Sequence, residues 1–300
     1  MFKRLALTLA LPIALISAED NYTETLYDEW GQTFQVEKVL FEAKSDEQHI
    51  IIFENPLYGR VLALDGIIQV TEKDEYVYHE MLSHVPIFSH GNVRSVLIIG
   101  GGDGGMLREV LRHQDIEKVT QIEIDLAVIE MSKKYLPSIS RGSFDDPRAN
   151  IVISDGAEYV KNTEEQYDII ICDTTDPIGP GAALFTTEFY QNCHSCLAEG
   201  GILVTQNGVP FLQEDELIGS YQFLSASFDD VSFYAGVVPT YVGGFMTFGW
   251  ASDNKEHRMV SQEEIEERVK AFDGEFKYYT PAVHKGAFAL PQFILNKLEG

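Results

Sequence analysis

Cysteine is scarce. Cys172, Cys193 and Cys196 are the only three in 300 residues, too few and too unevenly spread for a disulfide framework. The Cys193-x-x-Cys196 pair has no second CxxC or HxxxH beside it, and it lies in the amphipathic run FYQNCHSCL, so both thiols read as helix-core residues and no metal is expected. Basic side chains are also few: 22 Lys and Arg stand against 47 Asp and Glu, a formal charge of -25. That balance argues against a nucleic-acid partner and favours cationic ligands. Most of the excess acid serves solubility, so only acids placed in a pocket count as evidence for a ligand. Long apolar runs are missing as well. The stretch from Leu5 to Ile16 is twelve residues and contains Pro12, short of the ~20 a membrane span needs, so no membrane partner is expected. Neither an internal repeat nor a low-complexity segment is present, and the lysine of a G-x-x-x-x-G-K-[ST] phosphate loop is absent, which tells against a nucleotide triphosphate.

What is present is enough for a full core: 45% of the chain is hydrophobic, and the length fits one large domain plus a small one. MFKR, a short apolar stretch and Ala18 have the form of a secretory signal. Residues 1–18 are therefore either a signal or an upstream-extended start, and stand outside the fold. Residues 19–72 carry short β-prone runs, QVEKVLF, HIIIFE, GRVLALD and IIQVT, broken by Asn55-Pro56, Gly59 and Asp65-Gly66. These predict a small antiparallel β domain, with Asp65-Gly66 as a hairpin turn. TEKDEYVYHEMLSHVP predicts a helix that starts near Thr71 and ends before Pro86. In the remainder, residues 73–300, apolar runs alternate with helical segments: VLII, VTQIEI, IVI, YDIIIC and GILVTQ, then VSFY and FMTFGWAS. The expected fold is α/β, a Rossmann-like, methyltransferase-type doubly wound sheet with two terminal antiparallel-type strands, preceded by the small β domain.

VLIIGGGDGGMLREVLRH is a strand, a glycine-rich turn and a helix, a place where backbone can approach a ligand closely. Alone it is weak, since glycines there can serve only a tight turn. The next strand ends about 20 residues on at Glu123, where an acid can accept both hydroxyl hydrogens of a ribose. Ser154-Asp155-Gly156 offers a third strand-to-helix junction with a carboxylate near an adenine, although Asp155 could equally be capping the helix AEYVKN. Together the three junctions describe an adenosyl site.

Asp103 sits in GGGDGG, where a methyltransferase of this fold would hold the amino-acid tail of S-adenosylmethionine. A carboxylate there repels the cofactor's own, by about 1 kcal/mol at 4 Å in water and more in a dry cleft. Decarboxylated S-adenosylmethionine ends instead in a bare ammonium that Asp103 can pair with. The next strand delivers CDTTDP. Asp176 could be a turn cap before Pro177, but Asp173, directly after a buried apolar run, needs hydrogen-bond partners or a charged ligand. A diamine must lose a proton before it can attack, and Asp173 is the candidate acceptor, with Asp176 holding the nucleophile beside it.

From about Leu26 to Leu295 the chain resembles bacterial spermidine synthases, through GRVLALDGIIQVTEKDEYVYHEM, VLIIGGGDGGMLREV, EID, DDPR, SDGAEYV, CDTTDPIGPGAALF, PTYVGGFMTF and FALPQF. The resemblance implies transfer of an aminopropyl group from decarboxylated S-adenosylmethionine, a co-substrate and not a resident cofactor, to putrescine, leaving methylthioadenosine. It implies Asp173 as proton acceptor and Asp176, Asp103 and His79 facing the polyamine or the aminopropyl tail. Gln48, Glu123, Asp155, Gly156 and Pro180 would hold the methylthioadenosine part, and Tyr78 and Tyr241 would wall the polyamine channel. TTDPIGPGAALF resembles the family's gate over the site, and a homodimer or homotetramer is implied. The implied location is the cytoplasm; the amino terminus opposes it, and export is the alternative if residues 1–18 are cleaved.

Overall fold

The computed structural model describes residues 21–177 and 179–298, so the signal-like residues 1–18 lie outside the described residues. β1 (Asn21–Thr23) and β2 (Thr33–Gln35) form an antiparallel hairpin. β3 (Lys38–Lys44), β4 (His49–Asn55), β5 (Gly59–Leu64) and β6 (Ile67–Thr71) follow as an antiparallel meander. Asp65 and Gly66 join β5 to β6 with φ of 46° and 92°, the positive pair that a tight hairpin turn requires. The meander is apolar on both faces because both are covered. Ile51, Phe53 and Val61 pack on Phe34 and Val36 of the hairpin strand and its exit. Ile50, Ile52, Leu62 and Val70 pack on Val128, Leu136 and Ile139 of the following region. The β unit is thereby fastened to the sheet that carries the strand ends.

α1 (Glu75–His90) runs through Pro86, contrary to the expected stop. Proline in a helix interior costs ~3 kcal/mol, but Ile87 and Phe88 beyond the break are buried in the main core, and each such side chain stabilises by ~1.5–3 kcal/mol. Burial therefore carries the helix on to Gly91, whose positive φ ends it. Arg268 donates to the carbonyls of Phe88 and Ser89 in the last turn.

The remaining strands are β7 (Ser95–Gly100), β8 (Lys118–Glu123), β9 (Ala149–Ile153), β10 (Tyr167–Asp173), β11 (Leu197–Gln206), β12 (Asp230–Val237) and β13 (Phe245–Ser252). They form one sheet in the order β12-β13-β11-β10-β7-β8-β9. β7 to β11 are parallel; β13 pairs antiparallel with β11 and with β12. This is a Rossmann-like α/β fold. Helices α2 (Gly105–Leu111), α3 (Leu126–Tyr135), α4 (Pro137–Ser140), α5 (Gly156–Asn162), α6 (Thr187–Ser195) and α7 (Glu214–Ser225) make the crossovers, and α8 (Glu256–Met259), α9 (Gln262–Ala271), α10 (Pro281–Ala287) and α11 (Gln292–Leu298) close the chain. The three cysteines are buried and free, Cys193 on the inner face of α6. Among the described residues no helix is long and apolar enough to cross a membrane.

Strand register fixes the site. Asp173 stands opposite Gly100, Glu123 opposite Ile153 and Cys172 opposite Thr205, so the carboxyl ends of β7, β8, β9, β10 and β11 form one row. Ligands of open α/β sheets bind along such a row, where the strand order reverses between β7 and β10.

Candidate active site

A cavity of about 240 Å³ lies over that row. Ten of the eleven residues singled out in the sequence line it: Gln48, Tyr78, His79, Asp103, Glu123, Asp155, Gly156, Asp173, Asp176 and Tyr241. Pro180 falls in a 3-10 turn, Gly179–Leu184, with its side chain outside the described residues. Gly181 of that turn packs back so closely that a Cβ there would meet the Asp176 carbonyl at 2.5 Å.

The glycine turn is glycine because carboxylates close on it from two sides. A Cβ on Gly101 would lie 2.9 Å from Asp173 Oδ2, and one on Gly102 2.8 Å from Glu123 Oε2. Gly100 has φ +87°, and a Cβ there would meet the Asp173 carbonyl at 2.0 Å. Gln121 holds the turn by donating to the carbonyls of Gly100 and Gly101 at 2.9 and 2.7 Å.

At the nucleoside end, burial pushes Glu123 up to about 7, against a backbone N–H donated by Asp125 at 2.9 Å. A buried acid so poised gains by accepting hydroxyl hydrogens. Gln48 donates to Asp125 Oδ2 at 3.2 Å, tying the β3–β4 loop to the rim of the cavity. Asp155 caps α5, its Oδ1 accepting from Ala157 N at 2.7 Å and Glu158 N at 3.3 Å, while also facing the cavity. A Cβ on Gly156 would meet Ile99 Cγ2 at 2.5 Å, so this glycine keeps the α5 entrance tight against β7.

In the middle of the cavity, Tyr78 donates its hydroxyl to Asp173 Oδ1 at 2.6 Å. Asp173 Oδ2 is buried and, among the described residues, has no hydrogen-bond partner. Burial, and then the neighbouring Asp103 carboxylate, push Asp173 up to about 6; His79 and the Tyr78 hydroxyl act the other way. His79 lies between two carboxylates, Nδ1 2.7 Å from Glu75 Oε2 and Nε2 3.5 Å from Asp103 Oδ2. Burial favours its neutral form, but Asp103 and Glu75 outweigh that and lift it to about 10. Asp103 Oδ1 accepts from Gly105 N at 2.6 Å. Tyr241 gives its hydroxyl to the Gln69 carbonyl at 2.9 Å, so it meets Tyr78 edge-on with ring centroids 5.7 Å apart and presents a wall.

The sequence left out a second acidic pole at the far end. Glu24, Tyr27, Gln206 and Gln213 line the cavity there beside Asp176. Glu24 is 4% exposed, its carboxylate taking hydrogen bonds from Ile68 N at 2.9 Å and Gln32 at 3.1 Å. Behind Asp176, burial and then the Asp176 charge push Glu216 of α7 up to about 8. Burial also raises Asp176, with the Gln213 and Gln206 amides opposing. The hydroxyl of Tyr27 and Oε1 of Glu216 are buried without partners among the described residues. Gln206 carried a readable signal, an amide directly after the apolar run GILVT, the same logic that singled out Asp173. Glu24 and Glu216 carried none, since they meet only through the fold.

The model of the spermine/spermidine synthase domain matches residues 75–261, and that of the spermidine synthase tetramerisation domain matches residues 21–72. The polyamine aminopropyltransferase of Pectobacterium carotovorum is 54% identical over 284 residues, 95% of this chain and 99% of that protein. That of Klebsiella pneumoniae is 54% identical over 275 residues, 92% and 96% of the two chains. The fold, the acid-lined cavity and these relatives define a transferase enzyme. Among solved structures, a spermidine synthase in complex with the transition-state analogue AdoDATO superposes with a TM-score of 0.88 at 44% identity, covering 93% of this chain and 94% of that one. The spermidine synthase of Thermotoga maritima gives the same TM-score and identity over 94% and 95%. The chain belongs to the spermine/spermidine synthase family of polyamine aminopropyltransferases.

Proposed function

We propose that the chain is a spermidine synthase that transfers the aminopropyl group of decarboxylated S-adenosylmethionine to putrescine. The observation that carries this assignment is Asp173 Oδ2, a buried acceptor without a protein partner, set between the adenosyl end at Glu123 and the acidic pole at Asp176. One amine of the diamine gives its proton to Asp173, and its lone pair attacks the aminopropyl carbon bonded to the sulfonium. The C–N bond forms as the C–S bond breaks, and the bonding pair stays on sulfur in neutral methylthioadenosine. An ordinary amine is far more basic than Asp173 even at about 6, so much of the carboxylate's work is to orient and desolvate the nitrogen. The second ammonium sits by Asp176, with Glu24 adding acceptor oxygens at the same pole. Asp103 pairs with the ammonium of the aminopropyl tail and disfavours intact S-adenosylmethionine. No resident cofactor is needed, because the sulfonium supplies the leaving group. The turn at Gly179–Leu184 is the gate that excludes water. The tetramerisation-domain match supports a homo-oligomer, and the intracellular origin of the donor favours the cytoplasm.

A coupled assay on purified protein tests this, with putrescine, cadaverine or spermidine as acceptor and either decarboxylated or intact S-adenosylmethionine as donor. Methylthioadenosine and spermidine formed with putrescine and the decarboxylated donor are expected. Adenosylhomocysteine formed from the intact donor would make the protein a methyltransferase and overturn the assignment.

A further inference from the structure

Outside the cavity, the backs of α1 and α2 carry a chain of buried charges. Arg108, on α2, is pinned by a bond from each of its three nitrogens: Nη2 donates to Glu75 Oε2 at 2.8 Å, Nε to Glu109 Oε1 at 2.8 Å and Nη1 to the Ile139 carbonyl at 2.5 Å. Glu75 Oε2 thereby has a fixed place, one α1 turn from His79 and 2.7 Å from its Nδ1. The opposite nitrogen of the ring faces Asp103, from the glycine turn. The edge of the ring meets Tyr78 at 5.5 Å between centroids. Under the ring lies the backbone of Gly105, where a Cβ would come within 2.2 Å of His79 Cε1. Asp173 of β10 is the remaining charge close enough to interact with the imidazole.

Both ring nitrogens of His79 therefore face acceptor-only carboxylates. A neutral imidazole has one N–H and would set a lone pair against a carboxylate oxygen on the other side. We propose that Glu75, anchored by Arg108, is a positioning residue that keeps His79 a doubly protonated imidazolium, and that this buried cation lets Asp103 and Asp173 be ionised together in one pocket. Without it, two like charges in a dry cleft share a proton, and one of the two acids is lost to catalysis. The direction of the charge effects agrees: Glu75 is held down to about 2, burial opposing and His79 and Arg108 prevailing.

The proposal rests on the aminopropyltransferase assignment for its catalytic consequence, but its first test needs no substrate. Full-length protein labelled with 15N-histidine is titrated by NMR, with the His79 signals assigned by their loss in His79→Gln. Doubly protonated His79 up to pH 8.5 is expected in the wild type, with the midpoint at least one unit lower in Glu75→Gln and partly restored in Glu75→Asp. In kinetics, Glu75→Gln should lose kcat/KM increasingly above pH 8, so that its deficit is about twofold larger at pH 9 than at pH 7, since a midpoint lowered by one unit from about 10 leaves roughly half of the imidazole neutral at pH 9. Neutral His79 in the wild type at pH 7.5 overturns the proposal, as does a Glu75→Gln deficit that is the same at every pH. Should Glu75→Gln fail to fold, the wild-type titration alone decides. Should the protein transfer no aminopropyl group, the titration still reports on His79, which separates the two failures.

Discussion

Replacing Asp173 with Asn should cost turnover far more than nucleoside binding. The amide is isosteric, and the close approach of Gly101 to Oδ2, 2.9 Å for a Cβ there, leaves room for the same shape and nothing longer. The Tyr78 hydroxyl still finds an acceptor where Oδ1 was, 2.6 Å away. Only the partnerless Oδ2 position changes, from an acceptor to an N–H donor aimed where the attacking ammonium must approach. General-base assistance is worth ~10²–10⁴ in rate, or ~3–5 kcal/mol of barrier at ~1.4 kcal/mol per decade. A fall of that size in kcat is expected. Methylthioadenosine affinity by calorimetry should stay within about threefold, roughly 0.7 kcal/mol, because Glu123 and Gln48 are untouched. Asp173→Glu should fare no better, since its extra methylene meets the glycine turn at a cost of ~1–3 kcal/mol. Turnover of Asp173→Asn near the wild-type rate would refute the base role, and equal losses of turnover and nucleoside affinity would place Asp173 in the wrong half of the site.

Methylthioadenosine should bind more weakly as pH falls from 7 to 5.5, since Glu123, up to about 7 in the free site, must be ionised to accept ribose hydroxyls; Glu123→Gln should bind weakly with no such pH dependence in calorimetry. The ligand-free protein should gain thermal stability as pH drops from 8.5 to 6.5. Glu216, Glu123 and Asp173, raised to about 8, 7 and 6, hold protons that the unfolded chain releases. His79 likewise holds its proton up to about 10, so its contribution is complete below 6.5 and is lost as pH rises toward 10. Each extra proton bound contributes ~1.4 kcal/mol per pH unit. Below 6.5 the buried neutral His284, lowered to about 3, and His84 and His113, also lowered by burial, oppose this gain; a Tm that instead rises from pH 6.5 to 8.5 in differential scanning fluorimetry would contradict this balance. Gly105→Ala should lower stability by ~1–3 kcal/mol in urea unfolding, because the added carbon overlaps the His79 ring.

Much of the fold was legible because its signals are local. The alternation of apolar runs with helical segments marks β7 to β11 within a few residues, and Asp65-Gly66 marks a hairpin by backbone preference alone. The helix stop was misplaced at Pro86 for the opposite reason: the proline penalty is local, but the burial of Ile87 and Phe88 that outweighs it comes from elements far along the chain. The covering of both faces of the meander is likewise a tertiary result, unavailable to a pattern of short runs.

By itself the sequence singled out the strand-end acids Glu123, Asp155, Asp173 and Asp176, and for Asp173 the reason is local, because a carboxylate directly after a buried run needs a partner wherever the chain folds. Motif resemblance added Gln48 and His79. Tertiary structure alone decided what those acids meet. It brought Glu24 from the first hairpin to the Asp176 pole, set Glu216 behind it, and placed Arg108 against Glu75 and Glu75 against His79. Protonation in a low-dielectric cleft depends on distances between charges, and residues 24 and 176 have no distance until the sheet is assembled.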